Sequence, residues 1–90
     1  MVKANGKDER WLRCLVDKGM FSHEMAVTYP PEGEPLHSVF VPVEDVAGRP
    51  GEKGHVRVQV LTKAGNTIAI LPTNYRDAVT VAERDLSDAP

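Results

Sequence analysis

His55-Val56-Arg57-Val58-Gln59-Val60 is the stretch whose period decides the fold class. In an extended chain Val56, Val58 and Val60 fall on one side, and His55, Arg57 and Gln59 on the other. That is a strand with one dry face and one wet face. The same two-residue rhythm runs outward from it in both directions. Within Trp11–Asp17, Leu12, Cys14 and Val16 alternate with Trp11, Arg13, Leu15 and Asp17. Glu24–Tyr29 places Met25, Val27 and Tyr29 together, and His37–Val43 does so with Val39, Val41 and Val43. Thr67–Leu71 offers Ile68 and Ile70 as its inward pair, and Ala78–Glu83 offers Val79 and Val81. No stretch repeats apolar residues at helical spacing over three turns, so no long helix is expected.

Chain breakers stand between these runs. Lys18-Gly19 ends the first, and Tyr29-Pro30-Pro31-Glu32-Gly33-Glu34-Pro35 separates the second from the third. Adjacent prolines fix φ and remove backbone donors, which keeps that segment out of a central strand. Ala47–Gly54 reads as a loop, Lys63-Ala64-Gly65-Asn66 as a hairpin tip, and Thr73–Asp77 as a 3₁₀ turn started by Pro72. Five to six short strands with such spacers predict an all-β fold, a small barrel or orthogonal sandwich. Closure of the sheet removes exposed edges and favours the barrel. The expected domain covers residues 10–86, between polar tails at 1–9 and 87–90.

Leu61-Thr62-Lys63-Ala64-Gly65-Asn66-Thr67-Ile68-Ala69-Ile70-Leu71-Pro72-Thr73-Asn74-Tyr75 resembles the end of an SH3 domain. There a distal hairpin leads into an aliphatic residue, Pro-Ser-Asn-Tyr, a 3₁₀ turn and a last strand. The resemblance implies a five- to six-stranded SH3-like barrel with Ala78-Val79-Thr80-Val81 as its final strand. It also implies that Pro72 and Tyr75 contact a partner peptide. The first-strand tyrosine and the tryptophan of that family's groove have no counterpart in Arg13–Asp17 or His55–Val58. A second stretch, Gly51-Glu52-Lys53-Gly54-His55-Val56-Arg57-Val58, is similar to the turn-plus-strand core of KOW-type barrels of ribosomes and polymerases. That likeness implies a nucleic-acid- or ribosome-associated barrel.

Eleven Lys and Arg against thirteen Asp and Glu leave a formal charge of −2 over 90 residues. Binding of nucleic acid or an anionic membrane through charge alone is not expected from that balance. The single cysteine excludes an internal disulfide framework. No apolar run approaches the ~20 residues of a membrane-spanning helix, and Met1–Arg10 lacks the apolar stretch of a signal peptide. A cytoplasmic protein with no membrane partner is the expectation.

Few groups point to chemistry. His23, His37 and His55 lack a local metal-ligand spacing, although His37 and His55 would pair across a ladder if their strands were neighbours. Cys14, between inward Leu12 and Val16, reads as a buried thiol rather than a nucleophile. Glu44-Asp45 reads as a turn, and no serine sits in a nucleophile elbow. Gly48, Gly51 and Gly54 lie in a loop followed by a strand, whereas phosphate cradles need a helix there. No catalytic residue, metal or cofactor is therefore expected, and the protein is not expected to be an enzyme.

What remains is an excess of apolar side chains in outward registers: Trp11, Leu15, Phe40, Leu61 and Leu71. Met20 and Phe21 precede a strand where a polar turn is the norm, either plugging a barrel end or offered to a partner. Arg10, Arg13, Lys18, Arg57, Arg76 and Arg84 surround these positions. The combination predicts a non-catalytic interaction module that binds a protein partner or itself. Its contact residues would be Trp11, Phe21, Phe40, Pro72 and Tyr75. The alternative is the KOW-like nucleic-acid-binding barrel.

Overall fold

Two strands of 11 residues, β1 (Asp8–Lys18) and β5 (Lys53–Lys63), run antiparallel through the centre of a computed structural model that describes residues 8–35 and 37–90. Each carries its apolar alternation to one face, so Leu12, Cys14 and Val16 meet Val56 and Val58 in a dry interior. Leu12, Cys14, Val16 and Val56 are 0% exposed, as the two-residue period requires. Around them lie β2 (Glu24–Tyr29), β3 (His37–Pro42), β4 (Val46–Ala47), β6 (Asn66–Ile70), β7 (Ala78–Val81) and β8 (Leu86–Ser87). The sheet order is β3-β2-β1-β5-β6-β7, with β4 added to β5 and β8 added to β1. The described residues thus form an all-β, antiparallel, nearly closed barrel, whose helical content is two 3₁₀ helices, Val43–Asp45 and Glu83–Asp85. None of their helices is long and apolar enough to cross a membrane.

The two halves of the chain repeat one another. A long strand, its hairpin partner, a third strand, a three-residue 3₁₀ helix and a two-residue strand occur in that order, then occur again. Val39, Val41, Asp45 and Val46 recur at constant spacing as Val79, Val81, Asp85 and Leu86. The register shows the same relation. Leu12 lies opposite Val56; Val46 flanks Val56 on its other side, and Leu86 flanks Leu12. The Leu12–Val56 pair therefore sits on a pseudo-twofold axis that exchanges the halves. Each half gives its last short strand to the other: β4 completes the wall beside β5, and β8 completes the wall beside β1. One crossing demands glycine. The chain leaving β4 passes so close over β5 that a Cβ on Gly54 would lie 2.3 Å from the Ala47 carbonyl oxygen.

Three expectations change in register or place. Ala69 and Leu71 face the interior, at 0% and 3% exposure, while Ile68 and Ile70 are half-buried on the outside. The cause is the hairpin tip: Lys63 pairs with Asn66 around the two-residue turn Ala64-Gly65, both at positive φ (53° and 81°), which sets Ala69 opposite Val60. Leu71 therefore leaves the set of outward apolar residues. Val43 is exposed because the chain turns from β3 into a 3₁₀ helix at Pro42, which ends the alternation. Thr73–Asp77 holds a turn closed by Arg76 N–H on the Thr73 carbonyl at 3.0 Å, and not the expected 3₁₀ helix. At the ends, β1 starts at Asp8 and β8 ends at Ser87. Residues 1–7 of the expected tail lie outside the described residues.

Candidate functional site

Each long strand sends one arginine to the 3₁₀ helix of the opposite half. Arg13 Nη1 donates to Asp85 Oδ1 at 2.9 Å, and Arg57 Nε donates to Asp45 Oδ1 at 3.1 Å. Each arginine also faces an aromatic ring across the β1–β5 ladder, Trp11 opposite Arg57 and His55 opposite Arg13. The Arg57 guanidinium lies 5.1 Å from the Trp11 ring centroid, a cation–π contact that covers one face of the indole. His55 is pushed below its ordinary pKa, first by burial and then by the Arg13 charge.

Beyond this shared clasp the halves diverge. Around Arg13 and Asp85 the polar groups are used up. The Tyr29 hydroxyl donates to Asp85 Oδ2 at 2.7 Å and accepts the Ala82 N–H at 3.1 Å. Burial, then the bond to Asp85, raises the phenol above its usual pKa. Glu32, from the loop after β2, accepts from Arg13 Nη2 at 3.2 Å and from Lys53 Nζ at 2.7 Å. Lys53 and then Arg13 hold its carboxyl below the ordinary glutamate value. Arg13 is raised in turn by its bonds to Asp85 and Glu32.

In the second clasp the counterpart of Tyr29 is Leu71, and the counterpart of Ala82 is Pro42, which has no N–H to satisfy. The hydroxyl and the donor it serves are thus absent together. Arg57 Nη2 donates to the Glu44 carbonyl at 3.0 Å, and among the described residues Nη1 has no partner. An open cleft of about 320 Å³ lies here, lined by Arg57, Gln59, Ile70, Pro72, Thr73 and Arg76, together with Glu9 and Asp45.

A second cleft opens on the far side of Pro72 and Thr73, lined by His23, Glu24, Phe40, Pro42, Glu44 and Asn74. A third holds Met20, Phe21, Met25, Val43 and Pro50 beside Lys18. Phe21 stacks on His23 at 5.8 Å between centroids and 9° between planes, so the second and third clefts adjoin. Met20 and Phe21 are 73% and 62% exposed, which overturns the barrel-end plug. Their loop is held by the Met20 N–H on Glu24 Oε2 at 3.0 Å and the Glu24 N–H on the Phe21 carbonyl at 3.2 Å.

Of the five residues expected at the partner contact, Phe21, Phe40 and Pro72 are brought onto this one face. Trp11 lies beneath Arg57, next to the first cleft. Tyr75 is 89% exposed and lines none of the three clefts. His37 and His55 sit on β3 and β5, which are separated by β2 and β1, so they do not pair. Among the described residues no group of three His, Cys, Asp or Glu is placed to hold a metal ion. Cys14 is fully buried and its thiol is pushed up to about 12, which leaves it unreactive at neutral pH. Gly51 of the glycine loop donates its N–H to the Val16 carbonyl at 2.8 Å. Arg10, Arg13 and Arg57 are paired with acids, so the basic residues form no continuous stripe.

The clasps themselves went unrecognised in the sequence. The signal was present as the repeated Val-x-Val-x-x-x-Asp followed by an aliphatic residue at Val39–Val46 and Val79–Leu86. No family model, curated protein or solved structure matches this chain.

Proposed function

We propose that the protein is a non-catalytic interaction module that binds a protein partner through the face carrying Phe21, Phe40 and Pro72. One observation carries the reading. The β1–β2 hairpin tip holds Met20 and Phe21 out in solvent, while its counterpart in the second half is the minimal turn Ala64-Gly65. A frame that closes this hairpin with two residues does not need the longer loop. Exposing a Met–Phe pair costs solubility without helping the core. Such flexible and aromatic apolar side chains next to a concave surface are what protein partners use as anchors.

We further propose that the barrel is of SH3-like type. Pro72 lines the groove beside Phe40, in keeping with that likeness, but Tyr75 stands apart from it, so the contact is not the family's polyproline groove. The test is affinity capture from a lysate with wild type and Phe21→Ser, alongside circular dichroism. The expected result is a defined partner retained by wild type and lost by a variant that stays folded with an unchanged spectrum. A partner captured equally by both, or salt-sensitive RNA binding in place of a protein partner, overturns the reading. Light scattering of both proteins tells self-association from a different partner.

A further inference from the structure

The two clasps supply an internal control for a ligand site. In the first, Arg13 and Lys53 hold the carboxylate of Glu32, delivered by the segment Pro30-Pro31-Glu32. In the second, the loop after β6 delivers none. Asp77, the acid of that loop, is turned back on it: its Oδ2 accepts from the Thr73 hydroxyl at 2.8 Å, and its N–H donates to the Thr73 hydroxyl oxygen at 3.0 Å. Arg76 lines the cleft instead, and among the described residues it makes no ion pair. The place taken by a carboxylate in one half is therefore an open cleft in the other. Arg57 and Arg76 both line it, and among the described residues no partner is found for Arg57 Nη1.

We propose that this cleft binds a carboxylate presented by an extended, proline-containing peptide segment of a partner. The carboxylate would sit on Arg57 and Arg76 as Glu32 sits on Arg13 and Lys53. Planar guanidinium donors suit a carboxylate, which they meet through parallel N–H bonds. Pro72 and Ile70 give the apolar lining that a proline ring needs, and Thr73 and Gln59 add polar groups. Asp45 is already matched by Arg57. Glu9 is the one opposing charge, and it occupies the strand position that Lys53 holds beside the first clasp, so it limits the affinity rather than the geometry. The site is separate from the Phe21 loop and stands or falls without it.

The test uses the full chain and acetyl-Pro-Pro-Glu-Gly-amide, a copy of Pro30–Gly33. Binding is followed by NMR at the Arg57 Nε–H, the Ile70 methyls and the Arg76 amide. Saturable shifts there, with a dissociation constant of about 1 mM, are expected for wild type. Arg76→Gln weakens binding about threefold or more, and Glu9→Lys, which rebuilds the first-half charge pattern, tightens it by a similar factor. Both positions are exposed, so the variants fold. The proposal is overturned if neither wild type nor Glu9→Lys shifts at about 10 mM peptide. Equal shifts with the Gln-containing peptide also overturn it, as do shifts confined to the Arg13 clasp. Loss of partner capture by Phe21→Ser leaves these readings unaffected, so the two ideas fail separately.

Discussion

The halves of this barrel share a backbone plan and differ in how they finish it. Around Arg13 the chain supplies Asp85, Tyr29, Glu32 and Lys53, so the polar groups there are satisfied from within. Around Arg57 it supplies Asp45 and a backbone carbonyl, then leaves a cleft. The hairpin tips differ in the same spirit: one exposes Met20 and Phe21, and the other is a two-residue turn. A shared frame with unequal finishing separates what the fold requires from what is added to it. The arginine–aspartate clasp occurs in both halves and is structural. Among the described residues the cleft beside Arg57 and the apolar tip have no equivalent in the other half, and these are the features to test for function.

The largest expected break in the comparison comes from removing one aspartate at a time. Asp85→Ala strips the partner from the half-exposed Arg13 and from the buried Tyr29 hydroxyl, and is expected to cost about 3 kcal/mol. Asp45→Ala opens a more exposed pair and is expected to cost about 1 kcal/mol or less. Urea denaturation measures both, and equal losses would show that the clasps do not differ in kind. Next comes Tyr29→Phe. It leaves the Ala82 N–H and one Asp85 oxygen short of a partner, at an expected cost of about 1–3 kcal/mol.

Acid should weaken the surroundings of the Arg13 clasp selectively. His55 is held below its ordinary pKa, so its contribution is complete above about 6.5 and fades as pH falls from there through the lowered folded value. Glu32 is likewise held low; its contribution is complete above about 4.3 and is lost as pH falls through its own folded value. Relative to wild type, the urea midpoint against pH should flatten below about pH 6.5 in His55→Gln and below about pH 4.3 in Glu32→Gln. A wild-type profile that is level over both ranges would contradict this. The smallest effect is at the other hairpin. Ala64→Asn relieves a non-glycine residue at a φ of 53° and should stabilise by about 0.5 kcal/mol, read as a small rise in melting temperature.

Long strands were legible in the sequence because enough residues repeat to fix a face: Leu12, Cys14 and Val16 on β1, and Val56 and Val58 on β5. β6 was not, since Ile68 and Ile70 look like an inward pair until the turn at Ala64-Gly65 sets the register. β4 and β8 are two residues each, too short for any period to appear. Phe21, Phe40 and Pro72 could be picked out because large apolar residues in outward registers are conspicuous. For the clasps, the repeated Val-x-Val-x-x-x-Asp marks the two aspartates but not the arginines they meet, since Arg13 and Asp85 come together only in the folded chain.

The exchanged short strands have a consequence for how the molecule comes apart. With β4 finishing the wall beside β5, and β8 the wall beside β1, neither half encloses an interior of its own. Partial opening of one half uncovers the other, so amide protons along β1 and β5 should become exchangeable in a single cooperative event. A protease that cuts near Arg49-Pro50-Gly51 should then release no free fragment, because the two pieces stay entwined until both unfold.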